Sequence, residues 1–375
     1  MITSTTSGVW TLADEYAKVN AQRWRPNGGA LYSLGYNNYG QLGQNNISYR
    51  SSPVQIPGTT WNSISASRRV SLATKTDGTL WAWGSDNYGQ LGQNNIIPRS
   101  SPVQIPGTTW LNIKSNNYNS YATKTDGTLW SWGYNRFGAL GQNDTVSRSS
   151  PVQIPGTSWS LLDNGPNEFA LAIKTDGTLW SWGLNSNGQL GQNNRTYYSS
   201  PTQIPGTAWN KISSGIGHVL STKTDGTLWS WGRNQTGQLG QNNRTNSSSP
   251  VQVPGTTWSS IVSGGYYALS TKTDGTLWSW GANNAGQLGQ NNATYCSSPV
   301  QVPGTTWNSV SAGQLHSMSI KTDGTLWVWG YNAYGQLGTN NTTQYSSPIQ
   351  IPGTTWSSTS NANLSSLILQ NTYTS

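Results

Sequence analysis

Side chains able to move protons or attack a substrate are scarce in this chain of 375 residues. Outside a recurring Lys-Thr-Asp-Gly tetrapeptide the acids are Asp14, Glu15, Asp86, Asp144, Asp163 and Glu168, and the histidines are His218 and His316. A glycosidase sets two carboxyls across one bond, and these acids form no repeated or convergent pair. Cys296 and two histidines do not supply the four ligands of a zinc site, and a single cysteine forms no internal disulfide. No Gly-x-Gly-x-x-Gly or Gly-x4-Gly-Lys segment leads from a strand into a helix, so no phosphate cradle is expected. The chain therefore reads as a non-enzyme that needs no metal or cofactor, and its histidines as structural.

Recognition chemistry is better represented. Charged residues are only 9% of the chain, yet the net charge is +8. Six Lys and six Asp of the tetrapeptides cancel, which leaves the excess to arginine. Arg50, Arg99 and Arg148 recur at one position of successive segments and Arg195 and Arg244 at another, while Arg136 and Arg233 lie in the segments that follow Trp-Gly. Tyr36, Tyr39, Tyr88, Tyr134, Tyr197, Tyr331 and Tyr334 stand in the same segments. Tyr, Asn, Ser and Arg on a rigid frame make an adaptable binding surface. The arginines predict a basic arc that attracts an acidic glycan or another anionic host-surface ligand. With no Lys/Arg run and no groove-reading helix, nucleic acid is the less favoured partner.

The frame that must carry these residues is a repeat. Glycines closing a strand recur at Gly35, Gly84, Gly133, Gly183, Gly232, Gly281 and Gly330, spaced by 49 residues with a single 50. Each unit reads approximately KTDGTLWSWG, xNxxGQLGQNN, a variable tetrad and SSPVQIPGTTW. TLWSWG alternates as a strand does, and Asp-Gly between two such runs predicts a type I′ hairpin. PVQIPG carries Pro near its ends, as an edge strand tolerates. Segments such as NKISSG and HVLSTKT supply two more strands. Four short strands per unit, seven times over, describe an all-β seven-bladed propeller of four-stranded blades. Trp pairs two apart, such as Trp81 and Trp83, share a strand face and are expected to fill the wedges between blades. The Gly pairs of GQLG fit turns that exclude a Cβ. There are six KTDG hairpins for seven Trp-Gly-type strands, so both chain ends are expected to build one composite blade: strands around 30–34 and 53–58 with those after Trp356.

The string GxxH–xxxxKTDGTLWSWGxNxxGQLG resembles the repeat of the regulator of chromosome condensation family, a seven-bladed propeller. Gly215 to His218 and Gly313 to His316 match its Gly-x-x-His element; Val70, Asn119, Phe169, Tyr267 and Ser365 replace the histidine elsewhere. The resemblance covers residues 27–375. It implies the fold, and a range of activities that includes small-GTPase exchange factors, ubiquitin ligase modules and a β-lactamase inhibitor.

Residues 1–26 depart from the repeat. Thr11 and Asp14 have the form of a capping box, and Leu12, Tyr16 and Val19 recur at helical spacing up to Trp24 and Pro26. A helix this short is marginal alone, so Trp10, Leu12, Tyr16, Val19 and Trp24 are expected to anchor it to another protein or in an oligomer. SGVWTL with Tyr16 and Trp24 resembles a short module of bacteriophage structural proteins. The start has neither the basic nor the apolar region of a secretory signal, and no apolar window is long enough to span a membrane. Together these features imply an externally exposed virion component, tail-associated or head-decorating, bound to other virion proteins through its N-terminal segment. The alternative is a cytoplasmic protein-binding regulator, such as a small-GTPase exchange factor or enzyme inhibitor, followed by a glycan-binding or glycan-cleaving protein.

Overall fold

The computed structural model describes residues 29–370, apart from 36, 49, 167, 334, 340, 354–355 and 362–365. The helix expected within residues 1–26, with Trp10, Leu12, Tyr16, Val19 and Trp24, lies outside the described residues, as do Tyr36 and Tyr334.

The described chain is an all-β propeller. Strand β1 (Gly29–Gly35) pairs with the first part of β2 (Arg50–Ala66), whose second part begins the first complete blade. That blade continues through β3 (Val70–Lys75), β4 (Leu80–Gly84) and β5 (Arg99–Ile105). The second is β6 (Trp110–Ser115), β7 (Asn119–Lys124), β8 (Leu129–Gly133) and β9 (Arg148–Ile154), an antiparallel meander in chain order. Four further blades repeat it. What remains is a C-terminal hairpin, Trp356–Asn361 with Ser366–Gln370, and the β1–β2 pair. By place in the unit the hairpin corresponds to the first two strands of a seventh blade and the β1–β2 pair to its last two; among the described residues the hairpin is a two-stranded sheet of its own, with no pairing of Ser366–Gln370 to β1. The C-terminal hairpin packs on the blade before it.

First strands of neighbouring blades contact one another around the axis, so the fourth strands form the rim. Core is built between blades rather than within them. Val70, Leu72, Leu80, Ala82 and Ile105 of the first blade meet Trp110, Ala122 and Trp132 of the second. The two members of a Trp pair share a face but differ in depth: Trp132 is fully buried, and Trp130 half-buried. Trp132 Nε1 donates to the Gln90 carbonyl of the preceding blade at 2.9 Å. Five other blades repeat this bond.

The KTDG hairpin is not the expected type I′ turn. Only Gly78 takes a positive φ, 77°, and Asp77 does not. Gly78 N donates to Lys75 O at 3.0 Å and Lys75 N to Thr79 O at 2.9 Å. This is a three-residue loop, a type I turn closed by a left-handed glycine, so only its last residue must leave the right-handed region. Trp110 N then donates to Gly78 O at 3.0 Å, which ties each hairpin to the start of the next blade.

Candidate interaction face

Antiparallel strands sort the connections onto two faces. One face carries the KTDG hairpins and the Pro-Gly-Thr-Thr segments. The other carries the first-to-second strand connections, such as Ser67 to Arg69, and the long third-to-fourth connections, such as Ser85 to Pro98.

The hairpin face is nearly identical from blade to blade. Asp77 Oδ1 accepts from Thr79 N at 3.0 Å and Thr79 Oγ1 at 2.7 Å, and Trp81 Nε1 donates to Thr79 Oγ1 at 3.0 Å. The Thr79 hydrogen bonds are the main reason the Asp77 carboxyl is held below the usual range, with a smaller contribution from Lys75. Lys75 Nζ lies 4.9 Å from the Trp61 ring and 4.1 Å from the Trp81 ring, a cation–π contact repeated in the other five KTDG hairpins. Lys and Asp are thus each engaged in the frame.

The loop face differs from blade to blade. Tyr88 and Tyr134, from adjacent blades, meet at 4.4 Å between ring centroids. Tyr118 packs against both, at 5.8 Å from Tyr88 and 6.1 Å from Tyr134. The Arg69 guanidinium lies over Tyr39 at 5.0 Å and over Tyr118 at 5.3 Å. Tyr39 belongs to the composite blade, Arg69 and Tyr88 to the first, and Tyr118 and Tyr134 to the second, so the cluster crosses three blades. Tyr88 remains 37% exposed at its surface. Further round, Arg136 lies over Phe137, which meets Tyr197 edge-on, and Arg233 lies over Tyr266. A guanidinium stacked on a ring keeps its N–H edge free for a carboxylate. Arg233 already donates that edge to Gln235 Oε1.

The remaining predicted residues are distributed along the rim. Arg99 and Arg148 begin the fourth strands of their blades and are half-buried. Arg148 pairs with Asp144 at 2.5 Å, which neutralises it. Arg50 opens β2. Arg195, Tyr197 and Arg244 are exposed, with Arg244 over Tyr295; Tyr331 is half-buried. The arginines therefore do not converge on one pocket.

Arg69 and Tyr118 of the three-blade cluster, and Tyr266 under Arg233, were not predicted. They occupy the residue just before the Gly-x-x-His histidine position, which also holds Glu168, Gly217 and Leu315. Variation among units at that position was the available signal. Conversely, the Asn of each WGxN segment is frame. Asn135 is buried, its Oδ1 accepts Leu140 N at 2.8 Å, and its Nδ2 donates to the carbonyls of Asp144 and Val146, both at 3.1 Å. The GQLG glycines are also frame: a Cβ on Gly89 would stand 2.5 Å from Ser149 Cα, and one on Gly92 3.0 Å from Trp132 Nε1.

Groups suited to acid–base chemistry are held apart. His218 is fully buried, and desolvation lowers its pKa to about 4, so it is neutral. Asp163 pairs with Lys114 at 3.2 Å and accepts from Ser214 N at 2.7 Å. Among the described residues no three His, Cys, Asp or Glu side chains gather as a metal site, and no helix is long and apolar enough to cross a membrane.

A family model described as the regulator of chromosome condensation (RCC1) repeat matches seven segments: residues 28–74, 77–115, 126–160, 176–221, 225–270, 274–320 and 323–358. A second model of the same description matches 61–90, 209–238 and 307–336. No curated protein matches the sequence. Among solved structures, human WBSCR16 is 18% identical with a TM-score of 0.77, over 92% of this chain and 99% of that one. Prp20p from Saccharomyces cerevisiae, described with its binding to Gsp1p and histones, is 20% identical with a TM-score of 0.79, over 95% of each chain. Yeast RCC1 (Prp20) bound to Kap60 is 19% identical with a TM-score of 0.76, over 99% of this chain and 95% of that one. At these identities the likeness is one of fold.

Proposed function

Because the chain belongs to the regulator of chromosome condensation (RCC1) repeat family, we propose that it is a non-enzymatic, protein-binding regulator whose loop face docks a partner protein. The observation that carries this reading is the Tyr39, Arg69, Tyr118, Tyr88 and Tyr134 cluster, which joins three blades on the variable face. Aromatic rings with stacked arginine are the side chains most enriched at the energetic centres of protein interfaces. The hairpin face has its Lys, Trp, Thr and Asp bound to one another, which leaves less to offer a ligand. One structural neighbour, yeast Prp20, is described in two structures by its binding to proteins, Gsp1p and histones in one and Kap60 in the other, and this supports the same class here. The chain acts in this reading as a rigid frame that presents loops.

The regulator reading takes the place of the virion reading, which rested on residues 1–26 and draws no support from the matched family or the structural neighbours. It also makes a protein, rather than an acidic glycan or host-surface ligand, the expected occupant of the loop face, and the cytoplasm the expected compartment. The test is quantitative affinity capture with three forms: the parent, an Arg69→Ala/Tyr88→Ala/Tyr134→Ala variant, and a Thr157→Lys variant on the opposite face. Loss of one defined set of proteins from the first variant alone supports the reading. Identical captures by all three would refute it.

A further inference from the structure

One unit breaks the frame at a buried position. The Asn of WGxN stands at Asn37, Asn135, Asn185, Asn234, Asn283 and Asn332, but the unit that begins at Gly84 has Asp86 there. The asparagines work in two directions. Asn37 Oδ1 accepts Leu42 N at 2.9 Å, while its Nδ2 donates to Asn46 O at 2.9 Å and Ser48 O at 3.0 Å. Asn185 does the same with Leu190 N at 2.9 Å, Asn194 O at 3.1 Å and Thr196 O at 2.9 Å. This amide pins the long connection to the end of the third strand.

Asp86 reproduces only half of this arrangement. Its Oδ1 accepts Leu91 N at 2.8 Å. Its Oδ2 is buried without a partner, and the residue as a whole is fully buried. The surrounding loop is nevertheless built as in the other units. Gly89 N donates to Asp86 O at 3.1 Å, Asn94 N to Ser149 O at 2.7 Å, and Ile97 N to Asn95 Oδ1 at 3.0 Å. Asn94 keeps the left-handed φ of 57°. The carbonyls of Asn95 and Ile97 therefore occupy the places that take an amide N–H elsewhere. An ionised oxygen has nothing to donate to them; a carboxylic O–H does.

We propose that Asp86 is held as the neutral acid in the folded protein, its O–H doing the work of the missing amide, and that its ionisation loosens the 85–98 connection that carries Tyr88. Burial acts in this direction and lifts the carboxyl from 3.8 to about 7, against the opposing effects of Leu91 N–H and the Arg99 charge. Arg99, at the start of β5, is the cation facing the group. On the adjacent blade, which packs at Gly89, Arg148 is already paired with Asp144. Ser85 and Gln90 of the same loop are uncharged.

The sign follows from linkage. A carboxyl whose folded pKa is raised stabilises the fold fully below its unfolded value, and the contribution is lost as pH rises through the folded value. The test compares the parent with Asp86→Asn, which restores the residue of the other six units. Urea unfolding is followed from pH 4 to pH 9. The ratio of the parent's unfolding constant to the variant's should rise by up to about tenfold per pH unit through the window between 3.8 and about 7, then level off. A ratio independent of pH would overturn the proposal. Carbon-detected NMR of the aspartate carboxyls in the unaltered protein is the second measurement. One resonance, absent from Asp86→Asn, should titrate far above the ordinary carboxylate range, and its titration at the ordinary value would likewise overturn the proposal. So would stabilisation of the parent but not the variant by calcium chloride at pH 8, because a cation rather than a proton would then be filling the gap.

Discussion

Replacing Trp132 with alanine should remove a large part of the molecule's stability, whereas the same change at Trp130, two residues away on the same strand face, should remove much less. Trp132 is fully buried between two blades, against Val70, Leu72, Leu80 and Ala82 of one and Trp110 and Ala122 of the other. A buried Trp takes on the order of 200 Å² from water, worth about 5 kcal/mol at roughly 25 cal/mol per Å². Alanine retains part of that burial, and the cavity adds a further cost, so a loss of about 4 kcal/mol is expected. Net stabilities of domains lie at about 5–15 kcal/mol, so the loss is large but need not abolish folding. Trp132→Phe separates packing from hydrogen bonding. The Gln90 carbonyl accepts from Trp132 Nε1 at 2.9 Å and also from Ser120 Oγ at 2.8 Å, so phenylalanine leaves it one partner. That variant should lose about 1–2 kcal/mol, mostly the bond and a small void. Trp130 is half-buried and Lys124 lies 4.3 Å from its ring, so Trp130→Ala should cost about 1–2 kcal/mol. The measurement is urea unfolding followed by far-ultraviolet circular dichroism, because the chain's many other tryptophans would obscure fluorescence. A Trp130→Ala loss equal to or greater than that of Trp132→Ala would refute the account of where the core lies.

The six KTDG carboxyls, with Asp77 and Asp126 typical, are held below their ordinary range chiefly by the Thr two residues on. Their stabilising contribution is present above 3.8 and should fade as pH drops through their lowered values; Thr128→Val should blunt that acid dependence in one blade, read by unfolding at pH 5 and pH 2.5. Deleting residues 356–375 removes the C-terminal half of the seventh blade and the Trp356 N to Gly324 O bond of 3.1 Å, so the melting transition should broaden and fall; an unchanged transition would contradict ring closure by both ends. Gly84 has a φ of 115° and an added Cβ would stand 2.2 Å from Arg69 O, so Gly84→Ala should destabilise the first blade and displace Arg69; unchanged stability would show that the backbone can shift there. If the loop face binds an anionic partner, Arg69→Ala should weaken binding more at low salt than at high salt, since exposed charges are screened over about 8 Å at physiological ionic strength.

The repeat, the four strands per unit and the burial of the Trp-Gly tryptophans were legible in the sequence because each rests on local periodicity. Spacing of 49 residues, strand alternation and Gly-rich turns are short-range signals, and seven near-copies reinforce one another. The turn in KTDG was misread because Asp-Gly is compatible with both two- and three-residue loops. Only the bonds of Lys75 to Thr79 and Gly78 distinguish them. The loop-face cluster was legible in part. Tyr39, Tyr88 and Tyr134 stood out as variable residues on a constant frame, but Arg69 and Tyr118 complete the cluster from the connection between first and second strands. Tyr88 and Tyr118 are 30 positions apart in sequence and 5.8 Å apart in space because adjacent blades bring two different connections onto one face. The charge of an arginine is likewise read from the sequence, but its availability is not: Arg148 is neutralised by Asp144 only in the folded loop. Asp86 shows the same division. Its departure from the Asn of the other units is visible in the alignment of the repeats, while the consequence depends on burial and on which carbonyls the fold sets against its second oxygen. Sequence alone determined the frame, since a repeated pattern of hydrogen-bonding and apolar residues has one economical way to close. Tertiary structure decided which side chains meet, because contact between blades depends on distances that no local pattern encodes.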